Sequence, residues 1–356
     1  MDLNEQMPLR DRSAPAVAIV GATGAVGAEI LRCLERRRFP VSRLKLLASA
    51  RSAGRTMIFR RGPVAVEELT ERSFDGIDLA LFSAGSAVSK RFAPIAVARG
   101  AVVIDNSSAF RRDPEVPLVV PEINAAAIGR HRGIIANPNC VAAIATMALW
   151  PIHRENRVQR LTLATYQAAS GAGAAAMAEL QDSTRASLEG RGYEHRALLH
   201  PSAFNLFSHD TRIDPETLYN EEEIKVMNET RKILGDPAIR IGATCIRVPV
   251  LRAHSLAMTV ECEQPIAPEE VRRLLVSAPG IRVVDDAVRN YFPMPKDASG
   301  EDDILVGRIR RDLGDPSGKS IAMFVSGDQL LKGAALNAVE IAEHLIPRAA
   351  TAGEAR

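Results

Sequence analysis

An apolar run, "AVAIV" at 16–20, passes directly into "GATGAVGAEILRCLERR", and this junction constrains the fold more than any other stretch of the chain. A β-branched segment followed by a glycine-spaced turn and a helix-like pattern is the opening unit of a parallel sheet wound by right-handed crossovers. Gly21, Gly24 and Gly27 stand in a GxxGxxG spacing, a variant of the more common GxGxxG. Glycine lets the backbone turn tightly and approach a pyrophosphate, whose charge the following helix N-terminus favours. A plain strand–helix turn would use the same residues, so the motif gains weight only from the segments downstream of it.

Those segments repeat the alternation. "LKLLAS" (44–49), "DLALFS" (78–83) and "GAVVIDNS" (100–107) are further strand candidates, and "SAVSKRFAPIAVARG" between the last two reads as a crossover helix despite Pro94. After about residue 141 the texture changes. "QRLTLATYQAAS" (159–170) and "HSLAMTVECEQ" (254–264) alternate as half-exposed antiparallel strands do, and "APEEVRRLLVSA" (267–278) fits a helix laid on their sheet. "GDQLLKGAALNAVEIAEHLI" (327–346) reads as one long amphipathic helix. The expected fold is therefore α/β: a Rossmann-like doubly wound parallel sheet, an inserted α+β domain, and a C-terminal helix returning to the first domain. The expected boundaries are a flexible tail over 1–15, a nucleotide-binding domain over 16–140, a second domain over 141–325 and the returning helix over 326–356.

Composition closes off several function classes. Forty-five basic against 43 acidic side chains give +2, which offers no electrostatic case for a nucleic-acid partner. The "RRR" at 36–38 reads as a solvated helix end. No apolar run approaches the roughly 20 residues that span a bilayer, and the N-terminus lacks the apolar centre of a signal peptide. Cys33, Cys140, Cys245 and Cys262 are scattered without a CxxC pair, which argues against a metal site or a disulfide framework and for a reducing cytoplasm.

Several short stretches carry chemistry. At the end of the second strand "LLASARSAGR" offers Ser49, Arg51 and Ser52 and no acid. An NAD enzyme usually places an acid there for the ribose hydroxyls, whereas hydroxyls with a guanidinium suit the 2′-phosphate of NADP. "IDNSSAFRR" clusters Asn106, Ser107 and Ser108 at a strand's carboxyl end, with Arg111, or Arg112 beside it, able to bind a phosphate through two parallel bonds; an ordinary Asn/Ser-rich turn has the same composition. "NPNC" sets Cys140 before an apolar helical run. There a helix N-terminus favours the thiolate, although free cysteine is often only a small buried hydrophobe. A nucleophile needs an acid–base partner, and His254 in "IRVPVLRAHS" is one of seven histidines, at the end of a strand-like segment that begins with Arg247. Gln167 closes a strand as substrate orienter or satisfied amide, and Glu222 and Lys225 share a helical face as ion pair or zwitterion clamp.

In order, the stretches "GATGAVG", "LLASARSAG", "DNSSAFR", "PLVVPEIN", "NPNC", "TYQAASGAG", "AFNLFSHD", "NEEEIKVMNETRKIL", "ATCIRVPVLRAHS", "VGRIRRD" and "GDQLLKGAALNAVEIAE" resemble the aspartate-semialdehyde dehydrogenase family over roughly residues 16 to 346. The wording resembles the branch of plant and many bacterial enzymes. The resemblance implies NADP-dependent conversion of L-aspartyl-4-phosphate to L-aspartate-4-semialdehyde and phosphate, on the route to lysine, threonine, methionine and diaminopimelate. It implies Cys140 as acyl-forming nucleophile, His254 as acid–base group and Gln167 as orienter of the intermediate. Arg247 would bind the substrate carboxylate, Glu222 its ammonium group, and Arg111, Lys225 and Asn106 the phosphate. Gly21, Thr23, Gly24, Ala25, Val26, Gly27, Ser49, Arg51, Ser52, Ser170, Gly171 and Asn337 would hold NADP. The second domain would be catalytic, with its sheet at the interface of a homodimer or homotetramer.

Two departures from the family wording stand out. Val141 and Ala142 replace the usual Ser-Thr after the cysteine, and "SHDTRIDPETLYN" differs before Glu222. The rival activities are N-acetyl-glutamyl-phosphate reductase, whose acetylated substrate has no cation for Glu222, and a non-catalytic nucleotide-binding paralogue.

Overall fold

The computed structural model describes residues 13–346 and divides the chain into two compact units, Met1–Pro138 with Ala334–Arg356, and Asn139–Gly333. The expected tail over 1–15 falls largely outside the described residues, as does the chain beyond 346.

The first unit is built on seven strands: β1 (Ala16–Val20), β2 (Arg43–Ala48), β3 (Thr56–Phe59), β4 (Gly62–Glu68), β5 (Leu79–Phe82), β6 (Val102–Asp105) and β7 (Ile134–Ala136). They lie in the order β3-β4-β2-β1-β5-β6-β7. Only the β3–β4 hairpin is antiparallel. The six parallel strands, counted along the chain, stand 3-2-1-4-5-6, the doubly wound arrangement whose strand order reverses beside β1. β1 and β5 have no exposed residue, because a parallel sheet with crossovers on both faces buries both sides of its central strands. Helices α1 (Ala25–Arg36) and α2 (Ser86–Ala98) are crossovers, and Pro94 sits inside α2 as the sequence predicts; a short α3 (Pro121–Asn124) comes next.

"RRR" does close a helix, but Arg37 is not simply solvated. It donates from Nε and Nη2 to Glu343 at 2.7 Å each.

In the second unit β8 (Val158–Gln167), β9 (Phe207–Ser208), β10 (Arg240–Arg247), β11 (His254–Cys262), β12 (Ile281–Val283), β13 (Ile304–Arg311) and β14 (Ser320–Gly327) form a sheet in the order β12-β13-β14-β11-β8-β10-β9. The inner residues of β8 (Leu161, Leu163, Thr165, Gln167) are buried and alternate with exposed Arg160, Thr162 and Tyr166, the period-2 pattern visible in the sequence. The inner face carries α4 (Cys140–Glu155), which packs against β14, β13 and β8 and against α6 (Glu221–Leu234) and α7 (Pro268–Val276). Helix α5 (Ala174–Leu188) comes after β8, and α8 (Pro295–Ala298) is a single turn.

Two expectations are corrected. Residues 247–254 are not one strand: Arg247 ends β10, His254 begins β11, and the connection between them contains Pro249, which cannot donate to a ladder, and Ala253 at φ 72°. Nor is 327–346 one helix. Gly327 ends β14, the Asp328 carboxylate turns the chain by accepting from the Leu330 and Leu331 amides, a π-helical turn spans Leu331–Ala335, and only Leu336–Leu345 is α-helix (α9). The apolar positions that suggest a continuous helix are, except for half-buried Leu345, buried in the turn, the π-helical segment and α9 alike, so periodicity does not separate these pieces.

Candidate active site

In the first unit the glycine turn after β1 forms a cradle. Gly21 has φ +84°, and a Cβ there would stand 2.8 Å from the carbonyl oxygen of Ser83, the residue just past β5. A Cβ on Gly27 would lie 2.2 Å from the Gly21 oxygen. The GxxGxxG spacing is therefore required by two close backbone approaches at the sheet's switch point, where open α/β sheets bind ligands.

Beside the turn lies a cavity of about 560 Å³ lined by Gly21, Thr23, Gly24, Ser49, Glu68 and Arg91, among others. Ala25 and Val26 open α1. Arg51 and Ser52 sit on the 3₁₀ turn Ala50–Ser52, which buries no residue. The sequence showed no acid in this region; Glu68 comes from the carboxyl end of β4, opposite Ala48 of β2, and only the sheet register reveals it. The cradle and cavity fit a dinucleotide's phosphates and ribose.

The "DNSS" turn is held by Asp105, fully buried, whose carboxylate accepts from Ser89 Oγ at 2.6 Å and Ser107 Oγ at 2.7 Å. Asn106 donates from Nδ2 to the Phe82 carbonyl and accepts from Asn137 Nδ2 at 2.9 Å. Arg111 is buried and donates to two carbonyls, that of Asn137 from Nε at 2.8 Å and that of Asn106 from Nη2 at 2.6 Å. Asn337 is wholly buried and donates to the Val119 carbonyl and Asn137 Oδ1, while its own Oδ1 has no hydrogen-bond partner. These side chains knit the first unit together besides any ligand contact.

The second unit gathers the other predicted residues. Cys140 is the first residue of α4, half-buried. Its neighbour Asn139 caps that helix, its Oδ1 accepting from the Val141 and Ala142 amides at 2.9 and 3.2 Å. Asn139 also donates from Nδ2 to Glu222 Oε1 at 2.8 Å, and its backbone amide donates to Glu229 Oε2 at 2.6 Å. Val141 and Ala142 are fully buried, so the departure from Ser-Thr puts core in place of hydroxyls. Behind the thiol stands Gly333, where a Cβ would meet Cys140 Cβ at 2.8 Å.

Gln167 and Arg247 are opposite partners at the carboxyl ends of the parallel strands β8 and β10. Gln167 Nε2 donates to Glu222 Oε1 at 3.2 Å, and its Oε1 accepts from Thr165 Oγ1 at 3.0 Å. Glu222, in the first turn of α6, also lies 3.8 Å from Lys225 Nζ. Burial pushes the Glu222 carboxyl up, but the charge of Lys225 and the amides of Asn139 and Gln167, joined by His209 whenever its ring is protonated, outweigh it and hold the group below the usual carboxylate range. A buried anion with two amide donors and a nearby ammonium is built to stay charged.

His254 is fully buried; its Nδ1 accepts from the Ala168 amide at 3.0 Å, while Nε2 has no partner. With Nδ1 an acceptor, the neutral ring carries its proton on Nε2. Burial, then the charge of Arg247, push its pKa well below the ordinary histidine value. Arg247, likewise buried, has an unpartnered Nε. Gly171 faces both: a Cβ there would lie 3.0 Å from His254 Nε2 and 3.1 Å from Arg247 Nη1. Ser170, beside it, accepts a hydrogen bond from Gln329, which in turn accepts from the Ala253 amide at 2.9 Å.

Sequence reasoning gave no role to Asn139, His209, Asp210, Gln329 or Gly333. "NPNC" and "SHD" contain three of them, but only folding shows that Asn139 reaches Glu222 and that His209 and Asp210 reach Arg247.

Two family models match: "Semialdehyde dehydrogenase, NAD binding domain" over residues 16–131, and "Semialdehyde dehydrogenase, dimerisation domain" over 149–332. The chain is 52% identical over 332 residues to an aspartate-semialdehyde dehydrogenase of Synechocystis, covering 93% of this chain and 97% of that one. It is 47% identical to the Aquifex aeolicus protein of the same name, covering 93% and 97%. The fold matches the crystal structure of Vibrio cholerae aspartate semialdehyde dehydrogenase II complexed with ASA, with a TM-score of 0.91 at 42% identity over 94% of this chain and 99% of that chain.

Proposed function

The chain belongs to the aspartate-semialdehyde dehydrogenase family, and from that membership we propose that it converts L-aspartyl-4-phosphate, NADPH and a proton to L-aspartate-4-semialdehyde, NADP and phosphate through a thioester on Cys140. The observation that carries the reading is the bare face of Gly171, where a Cβ would stand 3.0 Å from His254 Nε2, a buried nitrogen without a partner, and 3.1 Å from Nη1 of Arg247, whose own Nε is also buried and unpartnered. Buried donors are nearly always satisfied, so one left open on each of these two side chains marks a place for substrate oxygens.

The α4 N-terminus favours Cys140 as thiolate, which attacks the acyl carbon as the C–O bond to phosphate breaks. His254, with its ring proton on Nε2, donates a hydrogen bond to the oxygen on which charge develops, and the proton it presents serves the tetrahedral species. Gln167 orients the acyl group. Arg247 grips the α-carboxylate and Glu222 the α-ammonium. Lys225 of the second unit, and Arg111 and Asn106 of the first, are assigned to the phosphate. When bound, NADPH supplies the hydride that reduces the thioester. In the first unit Gly21, Thr23, Gly24, Ala25, Val26 and Gly27 would hold its pyrophosphate, Ser49, Arg51 and Ser52 its 2′-phosphate, and Asn337 would add an acceptor; Ser170 and Gly171 are the second unit's contacts. Ser49 and Arg91 in the cavity lining offer the hydroxyl and guanidinium that a 2′-phosphate would use and favour NADP, whereas Glu68 in the same lining is the acid that a free ribose hydroxyl of NAD would use.

Domain limits at 16–140, 141–325 and 326–356, a homodimer or homotetramer and a cytoplasmic setting belong to the same reading, supported by the dimerisation-domain match and by four cysteines that are all free thiols. Among the described residues no helix is long and apolar enough to cross a membrane.

The test is phosphate-dependent reduction of NADP, and of NAD in parallel, with L-aspartate-4-semialdehyde or with the N-acetylated glutamate semialdehyde. Turnover of the first and an acyl adduct on the Cys140 peptide are expected. Preference for the acetylated substrate would reverse the assignment, and Cys140→Ala retaining turnover would refute the nucleophile.

A further inference from the structure

Arg247 is more fully engaged than a residue awaiting a carboxylate should be. Its Nη1 donates to the Ala168 carbonyl at 3.0 Å, and its Nη2 donates to His209 Nε2 at 2.9 Å and to Asp210 Oδ1 at 3.0 Å. A guanidinium grips a carboxylate with two parallel bonds, through Nε with Nη2 or through Nη1 with Nη2. Either grip needs an Nη2 hydrogen, and both are already given away. One of the two present acceptors must therefore yield to a carboxylate bound in this way.

The two are not equivalent. His209 is an uncharged acceptor: because arginine can only donate, His209 Nε2 is unprotonated and Nδ1 carries the hydrogen toward Thr211 Oγ1 at 3.3 Å. Asp210 carries a full negative charge, and a second carboxylate on the same guanidinium would face it across a few ångströms of poorly screened space. Its side chain is 16% exposed against 3% for Arg247, so it has a way out toward solvent. Asp210 closes the family-like stretch "AFNLFSHD" and stands where "SHDTRIDPETLYN" begins to depart from the family wording.

Resting on the reading that Arg247 takes the substrate's α-carboxylate, we propose that Asp210 is an internal stand-in for that carboxylate, holding Arg247 in place and displaced when the substrate arrives. A buried guanidinium without a counter-charge is costly, and Asp210 supplies one between turnovers. The same competition sets a threshold. A ligand with a carboxylate alone must displace Asp210 unaided, whereas one with an α-ammonium also gains Glu222.

Asp210→Asn keeps the shape and an acceptor for Nη2 but removes the competing charge. The KM for L-aspartate-4-semialdehyde, measured with phosphate and NADP, should fall by about fivefold, and the Ki of succinate, which has no ammonium group, should fall at least as far. A raised KM would show that Asp210 orients Arg247 instead, and an unchanged KM would show that it is not displaced; either overturns the proposal. Asp210→Glu keeps the competing charge, and under the proposal its KM and succinate Ki show no such fall. Arg247→Lys separates the two levels. An unchanged KM in that variant removes the carboxylate reading itself, whereas a raised KM beside an unaltered Asp210→Asn removes only the displacement.

Discussion

The Ala168 amide donates to His254 Nδ1 across 3.0 Å, and this one bond decides what the ring can do. It leaves the proton on Nε2, so His254 enters the reaction as a donor. His254→Ala should lower kcat by about 10²–10³-fold, the cost of one donor to a developing oxyanion. His254→Asn, which keeps an N–H but no titratable ring, should recover roughly tenfold of that loss. Equal losses in the two variants would mean that proton transfer by the ring dominates.

Gly333 backs the nucleophile. An alanine there would place its Cβ 2.8 Å from Cys140 Cβ and 3.2 Å from its Cα, closer than carbon atoms approach. Gly333→Ala should therefore shift the thiol and reduce kcat by about 100-fold, as an ångström of misplacement does. NADPH binding, followed by fluorescence, should be retained; loss of both would indicate a folding defect instead.

Asn139 inverts an ordinary preference. Asparagine and aspartate are about equally good helix caps, and loss of either costs about 1–2 kcal/mol. Here the same side chain donates to Glu222 at 2.8 Å, so Asn139→Asp would set two carboxylates together in a buried place. Urea denaturation should rank Asn139→Asp below Asn139→Ala. The reverse order would show that the Glu222 contact matters little to stability.

Stability should also report on His254. Its folded pKa is depressed by burial and by the charge of Arg247, so the unfolded chain binds the proton more readily. The native state then loses stability as pH falls below the ordinary histidine value near 6.5, by at most about 1.4 kcal/mol per pH unit per group, until the folded value is reached. Burial depresses His209, His131 and His153 as well, so the decline is shared. Chemical denaturation between pH 7 and 5 should give a shallower decline for His254→Asn than for the parent, and parallel curves would contradict the buried neutral ring.

The first unit's sheet and the start of α4 in the second unit are legible in the sequence because their signals are local. β1 and the glycine turn are contiguous, and Cys140 was placed at a helix start by the Asn-Pro-Asn before it. The sequence was less informative wherever a residue's task depends on distant partners. Arg111 reads as able to bind a phosphate, and nothing local in the sequence shows the two backbone carbonyls to which its guanidinium also donates. The stretch from Arg247 to His254 read as one strand because β-branched residues surround Pro249, although it crosses from β10 to β11. Asp210 and Gly333 have no motif of their own, since a counter-charge and a bare backbone face acquire meaning only from what the fold sets beside them.

The first unit is interrupted in the chain, and its last piece is α9, whose Asn337 bonds to Asn137 and to the Val119 carbonyl. A ribosome must therefore make all of Asn139–Gly333 before the earlier sheet can receive its final helix. During that interval the apolar surface that Val339, Ile341 and Ala342 will cover stays uncapped, and long-range closure of this kind is slow and prone to association. A truncation just before Leu336 should accumulate as aggregate or chaperone-bound material, because its nucleotide-binding half has been left unfinished.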